Sequence, residues 1–175
     1  MLKGFSCAVG VELSAQNAPK LNMLLSRTAI DMGRQVSAVK DVFKRKRPYL
    51  IEPGKICVPP SVLLDASPDY PSGHATWGWS MSLILAELVP DRATAILNRG
   101  RAFGESRVVC GVHSPSAVDA GRTNGASLIA TLHGQAAFRA DLEAAREEVA
   151  ALRAKATPMA ASCAASLALD AQAVF

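Results

Sequence analysis

The sequence predicts an all-α protein of a single domain, and three observations lead there. Alanine and leucine are abundant while aromatic residues make up 5% of the 175 positions, a composition that favours helix. Apolar residues recur at helical spacing along most of the chain. No stretch reads clearly as a strand, and no internal repeat is visible. Half of the residues are hydrophobic and 19% are charged, which excludes a disordered chain. The length suits one domain with a sizeable core.

The elements follow in order. Residues 1–15 read as a loop or short turn. From Ala18 to Arg47 the pattern is helical: Leu21, Leu24, Leu25 and Thr28 share one face, while Ile30, Gly33 and Val36 continue it in broken fashion. Two helices are therefore expected, the second from Gln35 to about Lys46, because Pro48 disfavours helix in the residue before it. On that second helix Lys40, Lys44 and Arg47 fall at i, i+4 and i+7 and share one face. Residues 48–71 contain six prolines, which exclude a long helix or a central strand. Long loops of this kind are often functional.

Helix resumes from Ser72 to Leu88, with Ser72 as a good N-cap. Pro90 opens the next one, which runs to about Arg107 despite Gly100 and Gly104. Gly111 breaks the pattern. Ser114-Pro115 is an N-cap followed by proline at the first helical position, and that helix runs on to Leu132. Another extends from Ala136 to Lys155, with Phe138, Leu142, Ala145, Val149 and Leu152 inward and Glu143, Arg146, Glu147, Glu148 and Arg153 outward. The domain thus covers 1–155. Residues 156–175 form an Ala-rich tail, either frayed or a helix that docks on a partner subunit in a homo-oligomer.

The net charge is +4 and the pI about 9.0, and part of the excess is the cluster Lys44-Arg45-Lys46-Arg47. A nucleic-acid arm is one reading of that cluster. It lies in a helical pattern ending at a proline, without interleaved stacking aromatics, so no nucleic-acid partner is expected. The uncharged run Pro71–Ala86 falls short of the ~20 apolar residues a membrane span needs. Glu12 follows the short N-terminal apolar stretch too soon for a convincing signal peptide. The four cysteines, at 7, 57, 110 and 163, form no C-x-x-C pair and no zinc spacing with histidine. They allow three full pairings, among which the sequence does not choose.

Three short blocks carry chemistry. The central one is Pro71-Ser72-Gly73-His74: backbone N–H groups at a helix start, a serine hydroxyl and an imidazole suit an anion. Upstream lies Lys40 through Arg47-Pro48, and downstream Ser106-Arg107 through His113. Each block alone reads as ordinary structure: a capped helix start, a solvated basic face, a structural histidine. Together they supply cations for a trianionic transition state, one imidazole to attack and one to protonate the leaving group, without a metal. His133 belongs to no block and reads as structural.

In order, these blocks match the signature K-x6-R-P, P-S-G-H, S-R-x5-H-x3-D in all but its final acid, and the chain resembles the type 2 phosphatidic acid phosphatase superfamily. Within it, the chain looks most like the bacterial class A non-specific acid phosphatases. The matching stretches are Phe5-Ser6-Cys7-Ala8, Tyr70 to Ala75, Gly104 to His113, and Ala120-Gly121-Arg122. The resemblance implies a helical bundle of the acid phosphatase/vanadium haloperoxidase type. It also implies metal-independent hydrolysis of phosphate monoesters, with broad specificity and an acidic optimum. His113 would form a phosphohistidine and His74 would protonate the leaving alkoxide. Lys40, Arg47 and Arg107 would bind the phosphate oxygens, with Ser72 and the Gly73 N–H as further donors. No cofactor is implied. The expected partners are small phosphomonoesters, inorganic phosphate or vanadate.

Two departures carry expectations of their own. The family has more helix upstream, preceded by a signal peptide, so the chain is expected to be a truncated form whose full-length counterpart is periplasmic. The acid expected four residues after His113 is replaced by Ala117, and Asp119, about 200° further round a helix, should point away. In a serine protease triad, replacing the corresponding acid by its amide costs roughly 10⁴-fold in rate. The alternatives are therefore an impaired or non-catalytic phosphate-binding homologue, or a phosphotransferase that passes the phosphoryl group to an alcohol. A haloperoxidase is disfavoured by the short chain.

Overall fold

The computed structural model describes residues 2–156 and 162–172. Helices run over Ser6–Val9 (α1), Pro19–Phe43 (α2), Val62–Ala66 (α3), Gly73–Leu88 (α4), Ala93–Val109 (α5), Pro115–His133 (α6), Ala136–Ala154 (α7) and Ser162–Asp170 (α8). Among the described residues there is no strand. The chain is all-α, as its composition and periodicity predict.

The centre of the bundle is α4. It packs against α5 and α6, while α2 packs against α7. Met81, Ile84 and Leu85 on α4 are fully buried together with Leu21 and Leu24 of α2 and Ile96 of α5. Burying each such side chain contributes about 1.5–3 kcal/mol. This central position explains why Pro71–Ala86 carries no charge. A charge there would face protein on nearly every side. No described helix is long and apolar enough to cross a membrane.

Close approach of α4 to its neighbours depends on small residues. A Cβ built on Gly100 would lie 2.2 Å from Ser82 Oγ, and one on Gly121 would lie 2.6 Å from the Ser72 carbonyl oxygen. The glycines that looked like weak points in the helical pattern are the contact points of α5 and α6 with α4.

Two expectations need correction. Residues 19–43 form one continuous helix, not two: Gly33 faces open space, and a single exposed glycine costs only about 1 kcal/mol relative to alanine. That helix also ends earlier than expected. Lys44 adopts a left-handed conformation, φ 47°, and its N–H caps the Lys40 carbonyl. Lys40, Lys44 and Arg47 therefore do not share a helix face, and Lys44 is exposed.

The proline-rich segment is a loop, as expected, with a 3₁₀ turn at Pro48–Leu50 and the short α3. The cysteines pair as Cys7–Cys163 and Cys57–Cys110. The first ties α8 to α1, and α8 also packs against α5. The tail's residues 162–170 are thus a helix held on this chain's own bundle. The second bridge pins the loop to the end of α5.

Candidate active site

Each motif residue is placed by an identifiable local device. Lys40 lies in the last turn of α2, half-buried. Its Nζ donates to Ser67 Oγ at 2.9 Å and to the Pro68 carbonyl at 2.5 Å. Burial, then the Arg47 charge, push its pKa down to about 8, against a smaller upward pull from Asp69. Arg47 precedes a proline and is extended, ψ 151°. Its side chain consequently turns inward, where it is 4% exposed. Nε donates to the carbonyls of Leu64 (2.9 Å) and Ser67 (2.8 Å), and Nη1 to that of Val112 (2.8 Å). Nη1 also lies 3.2 Å from His113 Nε2. Lys40 and Arg47 meet through Ser67 on the proline-rich loop, not through helix periodicity.

Ser72 caps α4, its hydroxyl oxygen accepting the Ala75 N–H at 3.3 Å. Its own N–H donates to the Ala117 carbonyl at 2.9 Å, which fixes the start of α4 against α6. Gly73 is the first residue of α4 and His74 the second. His74 is exposed and its ring lies 6.0 Å from that of Phe103, the two planes inclined at 30°. Partial desolvation, and then the charges of Arg107, His113, Arg47 and Lys40, lower its pKa to about 4. Contacts join the three sequence blocks: Arg47 Nη1 lies 3.2 Å from His113 Nε2, and the Ser72 N–H donates to the Ala117 carbonyl.

Arg107 ends α5 half-buried. Its buried Nε has no hydrogen-bond partner among the described residues. A buried guanidinium donor left unpaired is costly and fits an anion. Beyond it, Gly111 takes φ +73°, and a Cβ there would lie 3.2 Å from the Lys55 carbonyl. This turn lets the N–H groups of Val112 and His113 both return to the Arg107 carbonyl, each at 3.2 Å. His113 is therefore tethered to Arg107 and lies 3% exposed.

One residue of the site was not foreseen. Asp69, 1% exposed, places Oδ1 2.8 Å from His113 Nδ1. The same oxygen accepts the Ser114 N–H at 3.2 Å, and Oδ2 accepts the Ser114 hydroxyl at 2.8 Å. Arg45 closes the carboxylate from outside, with Nε 3.0 Å and Nη2 2.8 Å from Oδ2. Desolvation pushes the Asp69 pKa up, but the hydrogen bonds from His113 and Ser114 outweigh it, and the group lies below the usual carboxylate range. Burial lowers the pKa of His113, opposed by its bond to Asp69. Position 117 supplies no acid, as expected, but a carboxylate reaches Nδ1 from another loop. Asp119 does point away, pairing with Arg122 on the surface.

The partners define the tautomer of His113. A guanidinium can only donate, so Nε2 beside Arg47 presents a lone pair. The ring proton then sits on Nδ1 and is donated to Asp69. The result is an unprotonated Nε2 in a cationic setting. His133, by contrast, makes a surface pair with Glu87 at 3.0 Å. Among the described residues no group of three or more His, Cys, Asp or Glu side chains gathers as metal ligands do.

The all-helical bundle brings a lysine, two arginines and two histidines into one region around the start of α4, a cationic setting that suits an anion. Residues 20–140 match the PAP2 superfamily, and the chain belongs to it. It is 43% identical over 150 residues to an acid phosphatase of Zymomonas mobilis subsp. mobilis, covering 85% of this chain and 57% of that protein. It is 35% identical over 151 residues to a non-specific acid phosphatase of Providencia stuartii, covering 85% and 61%. It is 36% identical over 147 residues to a non-specific acid phosphatase of Salmonella typhimurium, covering 83% and 59%. The chain spans about three fifths of the length of these relatives.

Proposed function

We propose that the protein hydrolyses small phosphate monoesters through a phosphohistidine on His113, without a metal ion. One observation carries the reading: Asp69 Oδ1 lies 2.8 Å from Nδ1 of the buried His113 while Arg47 Nη1, a donor only, stands 3.2 Å from Nε2, an arrangement that favours the ring proton on Nδ1. An imidazole in this tautomer can attack phosphorus once the oxygens of a bound phosphate draw the Arg47 N–H away from Nε2. Lys40, Arg47 and Arg107 would hold the equatorial oxygens, and Arg107 in particular has donors to give. Ser72 and the Gly73 N–H, at the positive end of α4, would add further hydrogen bonds. Fixed cations of this kind stabilise the charge that spreads over those oxygens in the transition state.

His74 would protonate the departing alkoxide and then activate water for hydrolysis of the intermediate. A pKa of about 4 looks unsuited to an acid. However, the cations that lower it are those a bound phosphate would neutralise, so substrate would raise the His74 pKa toward its working range. Vanadate would occupy the same cradle. A phosphotransferase uses the same intermediate with an alcohol in place of water. The impaired-enzyme reading loses its motive once Asp69 supplies an acid. Two disulfides favour an oxidising compartment, consistent with a periplasmic protein.

The test is hydrolysis of an aryl phosphate in EDTA beside His113→Ala. Turnover of the parent protein that vanishes in the variant supports the proposal. Turnover that survives His113→Ala, or that requires added metal, refutes it.

A further inference from the structure

We propose that Asp69 is the positioning residue of His113, so that this chain has moved the carboxylate of its site from the helix after the histidine to the loop before Pro71-Ser72-Gly73-His74. The inference rests on His113 being the nucleophile. It adds which group sets that nucleophile's tautomer and from which part of the chain it comes.

The geometry is complete on both sides of the ring. Oδ1 of Asp69 takes the Nδ1 proton at 2.8 Å, and Arg47 Nη1 stands 3.2 Å from Nε2. The carboxylate is itself fixed by five donors. Two are on Ser114, two on Arg45, and the fifth is the imidazole. Its own N–H donates to the Arg45 carbonyl at 2.7 Å. Arg45 reaches on to Ser114 Oγ (2.6 Å) and Ser116 Oγ (3.0 Å), and lies over the Tyr70 ring at 4.8 Å. A group this heavily anchored cannot swing away, which is what a residue that orients another must satisfy.

Position 117 shows why the acid can be elsewhere. Ala117 is fully buried at the third position of α6, and its carbonyl accepts the Ser72 N–H. The helix there serves to hold α4, and the loop that precedes α4 brings the carboxylate instead. The acid, the Ser72 cap and His74 then lie within six consecutive residues. The motif block that holds the leaving-group acid thus also carries the group that orients the nucleophile.

Asn at 69 keeps the shape and removes the charge. Its amide protons must then face either the Arg45 and Ser114 hydroxyl donors on the Oδ2 side, or Nδ1 and the Ser114 N–H on the Oδ1 side. The orientation that spares Arg45 forces Nδ1 to accept, and the ring proton moves to Nε2, where it blocks attack. The charged and titratable groups around His113 are Asp69 with Arg45 behind it on the loop, Lys40 and Arg47 from the α2 side, His74 on α4, and Arg107 at the end of α5, whose carbonyl accepts the His113 N–H. Of these only Asp69 favours a protonated ring. Its loss therefore moves the acidic limb of kcat/KM to lower pH.

The experiment compares parent, His113→Ala, Asp69→Asn and Asp69→Asn/Ala117→Asp on an aryl phosphate in EDTA, with vanadate binding and the ¹⁵N tautomer signals of the histidines. The expected result is a fall of roughly 10²–10⁴-fold in kcat for Asp69→Asn. Vanadate affinity should stay near that of the parent, the acidic limb should move down, and the double variant should regain part of the loss. In the parent protein His113 should carry its proton on Nδ1, a readout that needs no variant to fold. If His113 in the parent carries its proton on Nε2, or Asp69→Asn keeps parental kcat while His113→Ala is dead, Asp69 is merely structural and the inference is overturned. Full activity in His113→Ala would instead sink the underlying reading.

Discussion

The two histidines of the site occupy opposite surroundings. His113 is buried, bonded on both ring nitrogens and tied through its backbone to Arg107. His74 is exposed, stacks beside Phe103, and meets only positive charge among its titratable neighbours. One ring is held in a single tautomer by a carboxylate. The other is left free to change its protonation when charge enters the site. A nucleophile needs the first arrangement and an acid that later becomes a base needs the second. In the proposed mechanism, the difference in surroundings would divide the labour between two chemically identical side chains.

Removing the exposed ring gives the largest break in this division. His74→Asn is expected to lower kcat by roughly 10²–10⁴-fold on alkyl phosphates. The loss should be smaller on aryl phosphates, whose leaving groups need less protonation. An equal loss on both, read from kcat across a leaving-group series, would count against His74 as the acid.

Next come the two arginines that flank the rings. Arg47 satisfies three backbone carbonyls, whereas Arg107 donates no side-chain hydrogen bond within the described residues. Arg47→Ala should destabilise the fold by about 3 kcal/mol through its orphaned acceptors, as well as lower turnover. Arg107→Ala should weaken phosphate binding while leaving denaturant midpoints nearly unchanged. Urea unfolding of both variants separates the two.

A smaller effect is expected at the α4–α6 contact. Gly121→Ala would push a methyl against the Ser72 carbonyl, costing about 2 kcal/mol. It should also lower turnover by shifting the start of α4. Thermal melts and kcat of the same preparation check both halves.

The smallest effect is a proton. Sulfate keeps its charge between the His74 pKa of about 4 and the ordinary value of 6.5. Bound among the cations it should raise that pKa, so at about pH 5.5 the complex takes up part of a proton. Calorimetry in buffers of different ionisation enthalpy measures the uptake, which His74→Asn should remove.

How much of this was legible in the sequence depends on how local the cause is. The helices from 73 to 154 follow from periodicity, Ser72 and Ser114 as caps, and Pro115 at a first turn. All of those signals act within one or two turns of chain. Lys40, Arg47, Ser72, Gly73, His74, Arg107 and His113 could be named because three blocks stand in order. The stated reason for Lys40 and Arg47, a common helix face, was wrong. Lys44 ends α2 in a left-handed turn, and Ser67 on a distant loop brings the two cations together. Asp69 escaped notice because its partner lies 44 residues away and no periodic pattern links a loop to a turn. The signal that could have found it is its place, an acid two residues before Pro71, in a chain whose position 117 had lost one.

The central claim is that Nε2 of His113 takes the phosphoryl group. The most direct measurement is an alkaline quench of the protein during turnover of an aryl phosphate, followed by peptide mapping under conditions that preserve phosphohistidine. The account predicts one phosphoryl group, on Nε2 of His113. A label on another residue, or steady turnover with no labelled protein at any quench time, would contradict it.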